Sequence, residues 1–416
     1  MKIAVIGGGA AGCFCAIGVK RARPDADVTV FEAGPRLLAK VAVTGGGRCN
    51  LTNSFRDVAL SGRAEPGLMR LEEVYPRGAQ LMRRALRVLS PADTQRWFEA
   101  EGVRLITQPD QCVFPVSQDA MQIVRTLERG LREAGVRVVC NAPVERIEAL
   151  PDGGFELTGS GDMPPYDRII VTVGGSSQQK LQRLLPESVE VTPCVPSLFT
   201  LKIPDAGLRA LMGTVVEQAA LSLAGTNFRS RGTLLLTDWG VSGPATLRLS
   251  SYAARHLAGC QYTGTLHINW LDATEAEARA WIAAAAAGDA RKQAASTPPP
   301  GITARLWRHL LGRAGLREDL RWAELGGKGA ARLAATLTAD AYPVAGRARF
   351  KEEFVTCGGV ALTGISINTL ESKLFPGLFF AGEALDLDAV TGGFNLQAAW
   401  STAAVVAGAL AASDAA

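Results

Sequence analysis

The sequence predicts an α/β protein whose parallel-sheet domain is interrupted by a mainly β, barrel-like insertion carrying a small helical lobe. The chain opens with an apolar strand and three spaced glycines. It later changes to alternating, β-branched segments with turn signals, and finally returns to an apolar strand, glycines and a long helix. We therefore expect a first domain part at 1–190, an insertion at 191–342 with its lobe at about 272–340, and a closing part at 343–416.

The first element is the strand KIAVI, followed by Gly7, Gly9 and Gly12 in G-x-G-x-x-G spacing and then by a helical segment. These glycines allow a tight turn, close approach of the backbone to a pyrophosphate, and close packing of helix on strand. The second strand, DVTVFEA, ends in Glu32, a carboxylate suited to both hydroxyls of a ribose. Together these features predict a dinucleotide site that also includes Ala10, Ala11 and Ala33.

A second group of motifs, near the C-terminus, indicates which dinucleotide is bound, NAD or FAD. The strand GLFFAGE ends at Gly382 and Glu383, and Gly392 and Gly393 then open a long helix of small residues. Such a helix N-terminus places amides and positive dipole where a flavin gains negative charge on reduction. An NAD dehydrogenase has no need of this element, so FAD is favoured, with further contacts expected at Asp386, Phe394, Asn395 and Leu396.

The stretch KVAVTGGGRCNLTN follows Glu32 closely, so we expect it to run along the cofactor. Three consecutive glycines let the backbone lie against a ligand, and Arg48 is suited to neutralise phosphate or reduced flavin. Asn50 and Thr52 are expected to donate to polar ring atoms, whereas Cys49 is more typical of packing than of chemistry. The predicted site here comprises Lys40, Thr44, Gly45, Gly46, Gly47, Arg48, Cys49, Asn50 and Leu51.

Two intermediate positions complete the predicted site. Val144 stands at a turn suited to backbone contact with adenine, and Gly174 ends the strand DRIIVTV near the path of the dinucleotide. Between these parts, residues 57–117 are expected to form helices and a short hairpin around RLITQPDQCVFPVS.

These motifs resemble the YhiN/BaiN-type flavoproteins, which include aminoacetone oxidase. The resemblance covers nearly the whole chain, and LLLTDWGVSGPATLRLS is among the stretches that carry it. It is most specific in GGGRCNLTN and in the glycine-rich run ESKLFPGLFFAGEALDLDAVTGGFNLQAAWS. It implies noncovalent FAD on a Rossmann-like scaffold of the two-dinucleotide-binding-domains type, with members linked to enone reduction and to amine oxidation. The chain departs from the family pattern at Asp238, usually histidine, and at Gly364, Ala389 and Phe394, usually glutamate, glycine and tyrosine. Asp238 argues against histidine-based chemistry in its loop.

The composition of the chain further limits the kinds of partner, metal site and cellular location that we expect. A net charge of +4 without a long Lys/Arg run gives no signal for nucleic acid. Eight cysteines lack any C-x-x-C pair and only three histidines exist, so we expect no metal and a reducing, cytoplasmic location. The N-terminus is a poor signal peptide, and the late apolar segment is read as a helix packed on a core and not in a membrane.

The sequence thus predicts an FAD-dependent oxidoreductase that acts by hydride transfer on a small organic substrate. NAD(P)H as a transient reductant and oxygen as an acceptor both stay open, because no second G-x-G-x-x-G follows a strand. Two alternatives are a flavin-dependent tRNA-modifying enzyme and a non-catalytic flavin-binding protein. The sequence identifies no catalytic residues and leaves the oligomeric state open.

Overall fold

The computed structural model describes residues 1–60, 66–160, 163–348 and 355–412. Within these ranges twenty strands are numbered in chain order: Lys2–Ile6 (β1), Asp27–Phe31 (β2), Thr52–Asn53 (β3), Val58–Ala59 (β4), Met69–Arg70 (β5), Leu105–Thr107 (β6), Cys112–Pro115 (β7), Arg137–Val139 (β8), Val144–Ala149 (β9), Phe155–Gly159 (β10), Arg168–Val171 (β11), Val191–Ser197 (β12), Leu201–Lys202 (β13), Val215–Leu223 (β14), Arg229–Thr237 (β15), Gly240–Ser242 (β16), Thr263–Asn269 (β17), Asp340–Ala345 (β18), Val355–Val360 (β19) and Leu378–Phe380 (β20).

The same ranges contain fourteen α-helices: Ala10–Ala22 (α1), Ala39–Gly47 (α2), Leu71–Val74 (α3), Ala79–Val88 (α4), Pro91–Ala100 (α5), Ala120–Ala134 (α6), Gln178–Leu184 (α7), Ala206–Arg209 (α8), Pro244–Tyr252 (α9), Ala254–Gly259 (α10), Glu275–Gly288 (α11), Ala304–Arg313 (α12), Gly326–Ala339 (α13) and Phe394–Ala412 (α14). Short 3₁₀ helices lie at Ala294–Ser296, Trp322–Glu324, Leu362–Gly364 and Gly382–Ala384.

The chain divides into two compact units, Met1–Val195 with Val355–Ala416, and Pro196–Phe354. The predicted boundaries after residues 190 and 342 differ from these. Strand β12 begins directly after residue 190 and pairs with β19. The first unit therefore continues beyond the predicted boundary, to Val195. At the second boundary, β18 continues the sheet of the inserted unit to Ala345, and residues 349–354 lie outside the described ranges.

The first unit is built on a five-stranded parallel sheet in the order β20-β11-β1-β2-β8. Ile3 to Ile6 of β1 are buried, as expected for a central strand covered on both faces. Because the strands are parallel, the carboxyl ends of β1, β2, β11 and β20 meet at one edge of the sheet. Ligands of open α/β sheets bind outside this edge.

Two long helices pack together in this unit. Phe14 of α1 lies 5.4 Å from Trp400 of α14 between ring centroids. A Cβ placed on Gly18 would lie 3.1 Å from the Ala407 Cβ, so the two helices approach closely. Helix α14 is the one described helix long and apolar enough to cross a membrane, but most of its apolar window is buried within the fold. It serves here as a core helix, in agreement with the sequence interpretation.

The hairpin expected within 57–117 is β6 paired antiparallel with β7, and β7 also pairs with β3. Strand β3 belongs to the stretch GGGRCNLTN. The end of that stretch is thereby tied into a small sheet, and helix α14 packs against β3.

The second unit is a six-stranded antiparallel sheet in the order β13-β16-β15-β14-β17-β18. Its two edges meet, because Lys202 N donates to Gly346 O at 2.8 Å and Ala348 N donates to Thr200 O at 3.1 Å. The sheet is therefore partly closed, as in a barrel. Its inner face forms an apolar core together with residues of α9 and α10.

The helical lobe follows β17 and comprises α11, α12 and α13. Three tryptophans, Trp281, Trp307 and Trp322, cluster in it with centroid separations of 5.8 to 6.5 Å. Arg313 at the end of α12 donates to Asp340 in β18 at 2.6 Å and lies over the Tyr342 ring, which ties the lobe to the sheet. The predicted fold class, with its inserted β unit and helical lobe, is confirmed.

Candidate functional site

The G-x-G-x-x-G turn lies at the carboxyl end of β1. A Cβ placed on Gly7, whose φ is +108°, would lie 2.5 Å from Thr172 O, and one on Gly12 would lie 2.0 Å from Gly7 O. Both positions therefore require glycine for the close approach of α1 to β1 and β11. Gly9, by contrast, has no atom within 4 Å of its Cβ position, so it faces open space.

Helix α1 begins directly after this open glycine. Its N-cap, Gly9, makes no side-chain cap, and no acidic residue lies in its first turn. The N–H groups of that turn and the positive end of the helix dipole are therefore available to a ligand. This is the donor set that a pyrophosphate requires.

Glu32 follows β2 at the same edge of the sheet. Its Oε2 accepts from Gly8 N at 2.8 Å and its Oε1 accepts from Gly34 N at 2.7 Å. The two backbone donors fix the carboxylate beside the glycine turn and leave further lone pairs on each oxygen. Ala33, next to it, is exposed.

The residues Thr44 to Gly47 break helix α2. Thr44 has an extended ψ of 148°, and Gly45, Gly46 and Gly47 follow with φ of 60°, 68° and 82°. Three successive left-handed residues are tolerated only because they are glycines. Gly46 and Gly47 have no atom within 4 Å of their Cβ positions, so this backbone faces open space and not another element.

Arg48 is held at the end of this glycine run. Its Nε donates to Gly45 O at 3.2 Å, and its guanidinium lies over the Phe114 ring at 4.6 Å. The side chain is nevertheless exposed. A cation beside open backbone amides is a suitable partner for phosphate or for a developing negative charge.

Three residues after Arg48 differ from the sequence interpretation. Cys49 and Leu51 have no accessible surface, so no ligand touches them in this conformation. Thr52 is equally buried and donates to Gln397 Oε1 at 2.5 Å, which corrects the expected contact with ring atoms. These side chains have a packing role beneath the site. Leu51 to Asn53 are hydrogen-bonded to β7, and β3 packs against α14.

Asn50 joins the two distant glycine motifs. In the amide orientation that satisfies both ends, its Nδ2 donates to Thr52 O at 3.0 Å and its Oδ1 accepts from Gly393 N at 3.1 Å. A Cβ on Gly393, whose φ is +86°, would lie 2.4 Å from Thr52 O. The structure thus brings the start of α14 against the stretch GGGRCN, although about 340 residues separate them in sequence.

Helix α14 begins at Phe394, and its first intrahelical bond runs from Gln397 N to Gly393 O. The preceding N–H groups have no partner inside the helix, as at any helix N-terminus. Asn395 uses its side chain to close the preceding loop, accepting from Ala389 N and donating to Ala389 O. The Phe394 side chain is buried against Phe55, whereas Leu396 is half-buried.

The other C-terminal motif meets the first glycine turn. A Cβ on Gly382 would lie 2.8 Å from the Ala11 Cβ. Glu383 Oε1 accepts from Thr356 N at 2.8 Å, and its Oε2 lies 3.3 Å from Lys40 Nζ. Gly174 is also here, since its Cβ position lies 3.7 Å from Glu383 Oε2.

Two predicted positions remain. Val144 is half-buried at the start of β9 and pairs with Gly159, so it lies in a strand and not at a free turn. Asp386 is half-buried in the loop after Glu383 and donates its N–H to Val360 O at 2.9 Å.

Three buried cysteines of this unit, Cys13, Cys15 and Cys49, are unsuited to covalent chemistry. Burial raises the pKa of the Cys15 and Cys49 thiols to about 12. Burial, with Glu32 as a second cause, also raises the pKa of Cys13. A thiolate is the reactive form, so these side chains stay inert near neutral pH. The eight cysteines all lie in the described ranges and form no disulfide, and the same ranges bring together no cluster of three metal-ligating side chains.

A dinucleotide, in which a pyrophosphate joins two nucleoside halves, fits these residues. An uncapped helix N-terminus and a fixed carboxylate lie at one sheet edge, and the backbone at Gly9, Gly46 and Gly47 faces open space. Fold and site together define a dinucleotide-binding flavoprotein.

The chain belongs to the family described as the HI0933-like protein Rossmann domain, whose model matches residues 1–409. This confirms the resemblance to YhiN/BaiN-type flavoproteins and identifies the chain as an FAD-dependent oxidoreductase.

Several known proteins are similar over nearly their whole length. The 3-dehydro-bile acid delta(4,6)-reductase of Clostridium scindens is 27% identical, covering 96% of this chain and 97% of the relative. The ribosomal RNA dihydrouridine synthase of Haemophilus influenzae is 27% identical, covering 96% of both chains. The 3-ketosteroid delta1-dehydrogenase structure from Sterolibacterium denitrificans has a TM-score of 0.48 at 12% identity and covers 99% of both chains.

We expect Glu32→Ala to weaken FAD binding by about 1.5–3 kcal/mol, because charge-assisted hydrogen bonds to ribose hydroxyls are lost. The measurement is a titration of the apoprotein with FAD followed by flavin fluorescence. Glu156→Ala, which removes an exposed carboxylate on β10, is the control and should leave the dissociation constant unchanged. An unchanged constant for Glu32→Ala would place the adenosine end elsewhere.

We expect alkaline pH to destabilise the protein through its buried thiols. The native state keeps protons that the unfolded chain releases between the ordinary thiol pKa of 9.0 and about 12. The free energy of unfolding therefore falls as the pH rises through this window.

Cys49→Ala should reduce this fall by on the order of 1–2 kcal/mol, measured as the difference between urea unfolding at about pH 8 and about pH 10.5. The exposed Cys260 supplies the control variant Cys260→Ala. Equal falls in the wild type and Cys49→Ala would show that this thiol does not titrate as described.

Proposed function

We propose that the protein is a reductase that saturates a carbon–carbon double bond conjugated to a carbonyl group, with NAD(P)H as a transient reductant. The observation that carries this proposal is shared by two kinds of relative. A delta(4,6)-reductase of 3-dehydro-bile acids and a dihydrouridine synthase are both named for such a bond, the second at the uracil C5=C6. Both align with 96% of this chain.

FAD supplies hydride transfer when bound, and the chain's own residues bind and orient it. We assign the ribose of the adenosine half to Glu32 and the pyrophosphate to the start of α1. The flavin end is assigned to Gly46, Gly47 and the start of α14, where helix amides and Arg48 favour added negative charge. Lys40, paired with Glu383, supports the middle of the cofactor.

The alternative of a tRNA-modifying enzyme with a reactive cysteine has little support here. Cys13, Cys15 and Cys49 lie in the same unit as the glycine motifs, and burial raises the pKa of each thiol. Simple reduction of a double bond needs no thiolate. We also propose a cytoplasmic location, because eight cysteines that form no disulfide are typical of a reducing compartment.

A second candidate substrate is a uracil base within RNA. One observation favours it besides the dihydrouridine synthase relatives. The unit at 196–354 contains 19 basic and 13 acidic residues, whereas the rest of the chain contains 25 basic and 27 acidic residues. The basic excess of the protein thus belongs to the inserted unit alone, and basic surfaces attract polyanions.

The test is anaerobic reduction of the bound flavin by NADH and by NADPH, followed by mixing with one candidate acceptor at a time. The proposal predicts rapid reoxidation by a 3-oxo-Δ4 steroid or another cyclic enone. Reoxidation by a uridine-containing RNA but not by the enones would select the second substrate. If neither acceptor reoxidises the flavin and a primary amine reduces the oxidised enzyme instead, the protein is an amine oxidase and the proposal is wrong.

A further inference from the structure

One segment connects the two C-terminal glycine motifs. It starts at Gly382, which packs on Ala11 at the start of α1, and ends at Gly392 and Gly393, which pack on Asn53 and Thr52. The segment therefore begins beside the start of α1, where we assign the pyrophosphate, and finishes beside the stretch GGGRCN. The path of the segment between them fixes how far apart these two contact regions lie.

A second stretch of chain holds the middle of this segment. Residues 74–78, from the last residue of α3 to the residue before α4, run beside residues 387–390. Val390 N donates to Val74 O at 2.9 Å, and a Cβ on Gly78 would lie 2.5 Å from Leu387 Cδ1. The backbones of Arg77 and Asp388 form an antiparallel bridge.

The side chains of Arg77 and Asp388 complete this contact. Arg77 Nε donates to Asp388 Oδ1 at 2.5 Å, and Arg77 Nη2 donates to Asp388 Oδ2, so the pair is bidentate. The Asp388 side chain has no exposed surface and that of Arg77 is 11% exposed. A buried carboxylate of this kind depends on its partner, because removing one member leaves an uncompensated charge.

We infer that Arg77 and Asp388 are a positioning pair for the FAD site. By pinning the segment 382–393 to the stretch 74–78, they set the separation between the Gly382 contact and the Gly392–Gly393 contact. They act through the segment, since Asp388 itself is buried and faces Arg77. This inference rests on FAD as the cofactor and is independent of which substrate is reduced.

A comparable ion pair provides the contrast. Arg83 of α4 contacts Glu72 of α3 at 2.5 Å, but Glu72 is half exposed, and neither residue belongs to the segment 382–393. Arg83→Gln therefore removes an ion pair between α3 and α4, the helices on either side of Arg77, without touching the positioned segment. It is the control for general loss of stability.

The experiment measures FAD binding and the visible circular dichroism of the bound flavin in Asp388→Asn, Arg77→Lys and Arg83→Gln. We expect the dissociation constant to rise at least about tenfold in Asp388→Asn, and less in Arg77→Lys, which keeps the charge but not the bidentate geometry. Both should alter the flavin dichroism. Arg83→Gln should stay within about twofold of the wild type.

The apoprotein melting temperature separates positioning from plain stabilisation. If Asp388→Asn and Arg77→Lys lower it but leave the FAD dissociation constant and the flavin dichroism unchanged, the inference is overturned. Should Asp388→Asn not fold, Arg77→Lys alone decides by the same two readouts. Activity toward any substrate plays no part in this test, so its failure is distinct from failure of the proposed reaction.

Discussion

Gly393→Ala is expected to abolish FAD binding, with a loss of affinity on the order of a hundredfold or more. The added Cβ would lie 2.4 Å from Thr52 O, a backbone atom that cannot rotate away, and φ at this residue is +86°. The start of α14 must therefore move away from β3. That movement breaks the contact between Gly393 and Asn50 and displaces the helix amides from the flavin end of the site.

Gly408→Ala is the matched control in the same helix. Gly408 is exposed and has no atom within 4 Å of its Cβ position, so alanine should stabilise α14 by about 0.5–1 kcal/mol and leave FAD binding intact. FAD affinity and thermal unfolding are measured for both variants. A Gly393→Ala protein that binds FAD as the wild type does would show that the N-terminus of α14 does not contact the cofactor.

Gly46→Val is the second change with a large expected effect: a folded but colourless protein. Apart from the adjoining backbone, no protein atom lies within 4 Å of the Gly46 Cβ position, so the structure leaves open space where the new side chain begins. In the proposed site that space belongs to the cofactor, which the branched side chain would exclude. The readout is the flavin absorbance of the purified protein relative to its protein absorbance.

Backbone strain alone must be separated from this steric exclusion. Gly102 provides the control, because its φ of +84° is also left-handed and its Cβ position is also open. Gly102→Val carries a similar strain in the turn after α5, away from the glycine motifs. If both variants are fully yellow, the open space at Gly46 does not hold FAD; if both are colourless, strain and not exclusion explains the loss.

The local parts of the site could be predicted from the sequence because each rests on a short-range rule. The strand, the spaced glycines and Glu32 form one β-α-β unit, and the structure places Glu32 on the amides of Gly8 and Gly34. The glycines of GGGRCN likewise imply left-handed backbone, which all three adopt. The glycines and helix opening near the C-terminus also predict that an extended cofactor contacts both ends of the chain.

Contacts that depend on tertiary packing could not be predicted in this way. The sequence gives no sign that Arg77 pairs with Asp388, because 311 positions separate them and each is an ordinary charged residue in its own neighbourhood. Cys49, Leu51 and Thr52 were grouped with the cofactor by their adjacency to Arg48. Their burial follows from the pairing of β3 with β7 and from the packing of α14, neither of which a local pattern specifies.

One FAD is expected to occupy both glycine-rich parts of the chain, around Gly9 and around Gly393. The most direct measurement is the identity and amount of the pigment released by heat from the purified protein, determined by chromatography against flavin and nicotinamide standards. We expect noncovalent FAD at one molecule per chain. Release of FMN or NADP, or a well-folded colourless preparation that added FAD does not reconstitute, would contradict it.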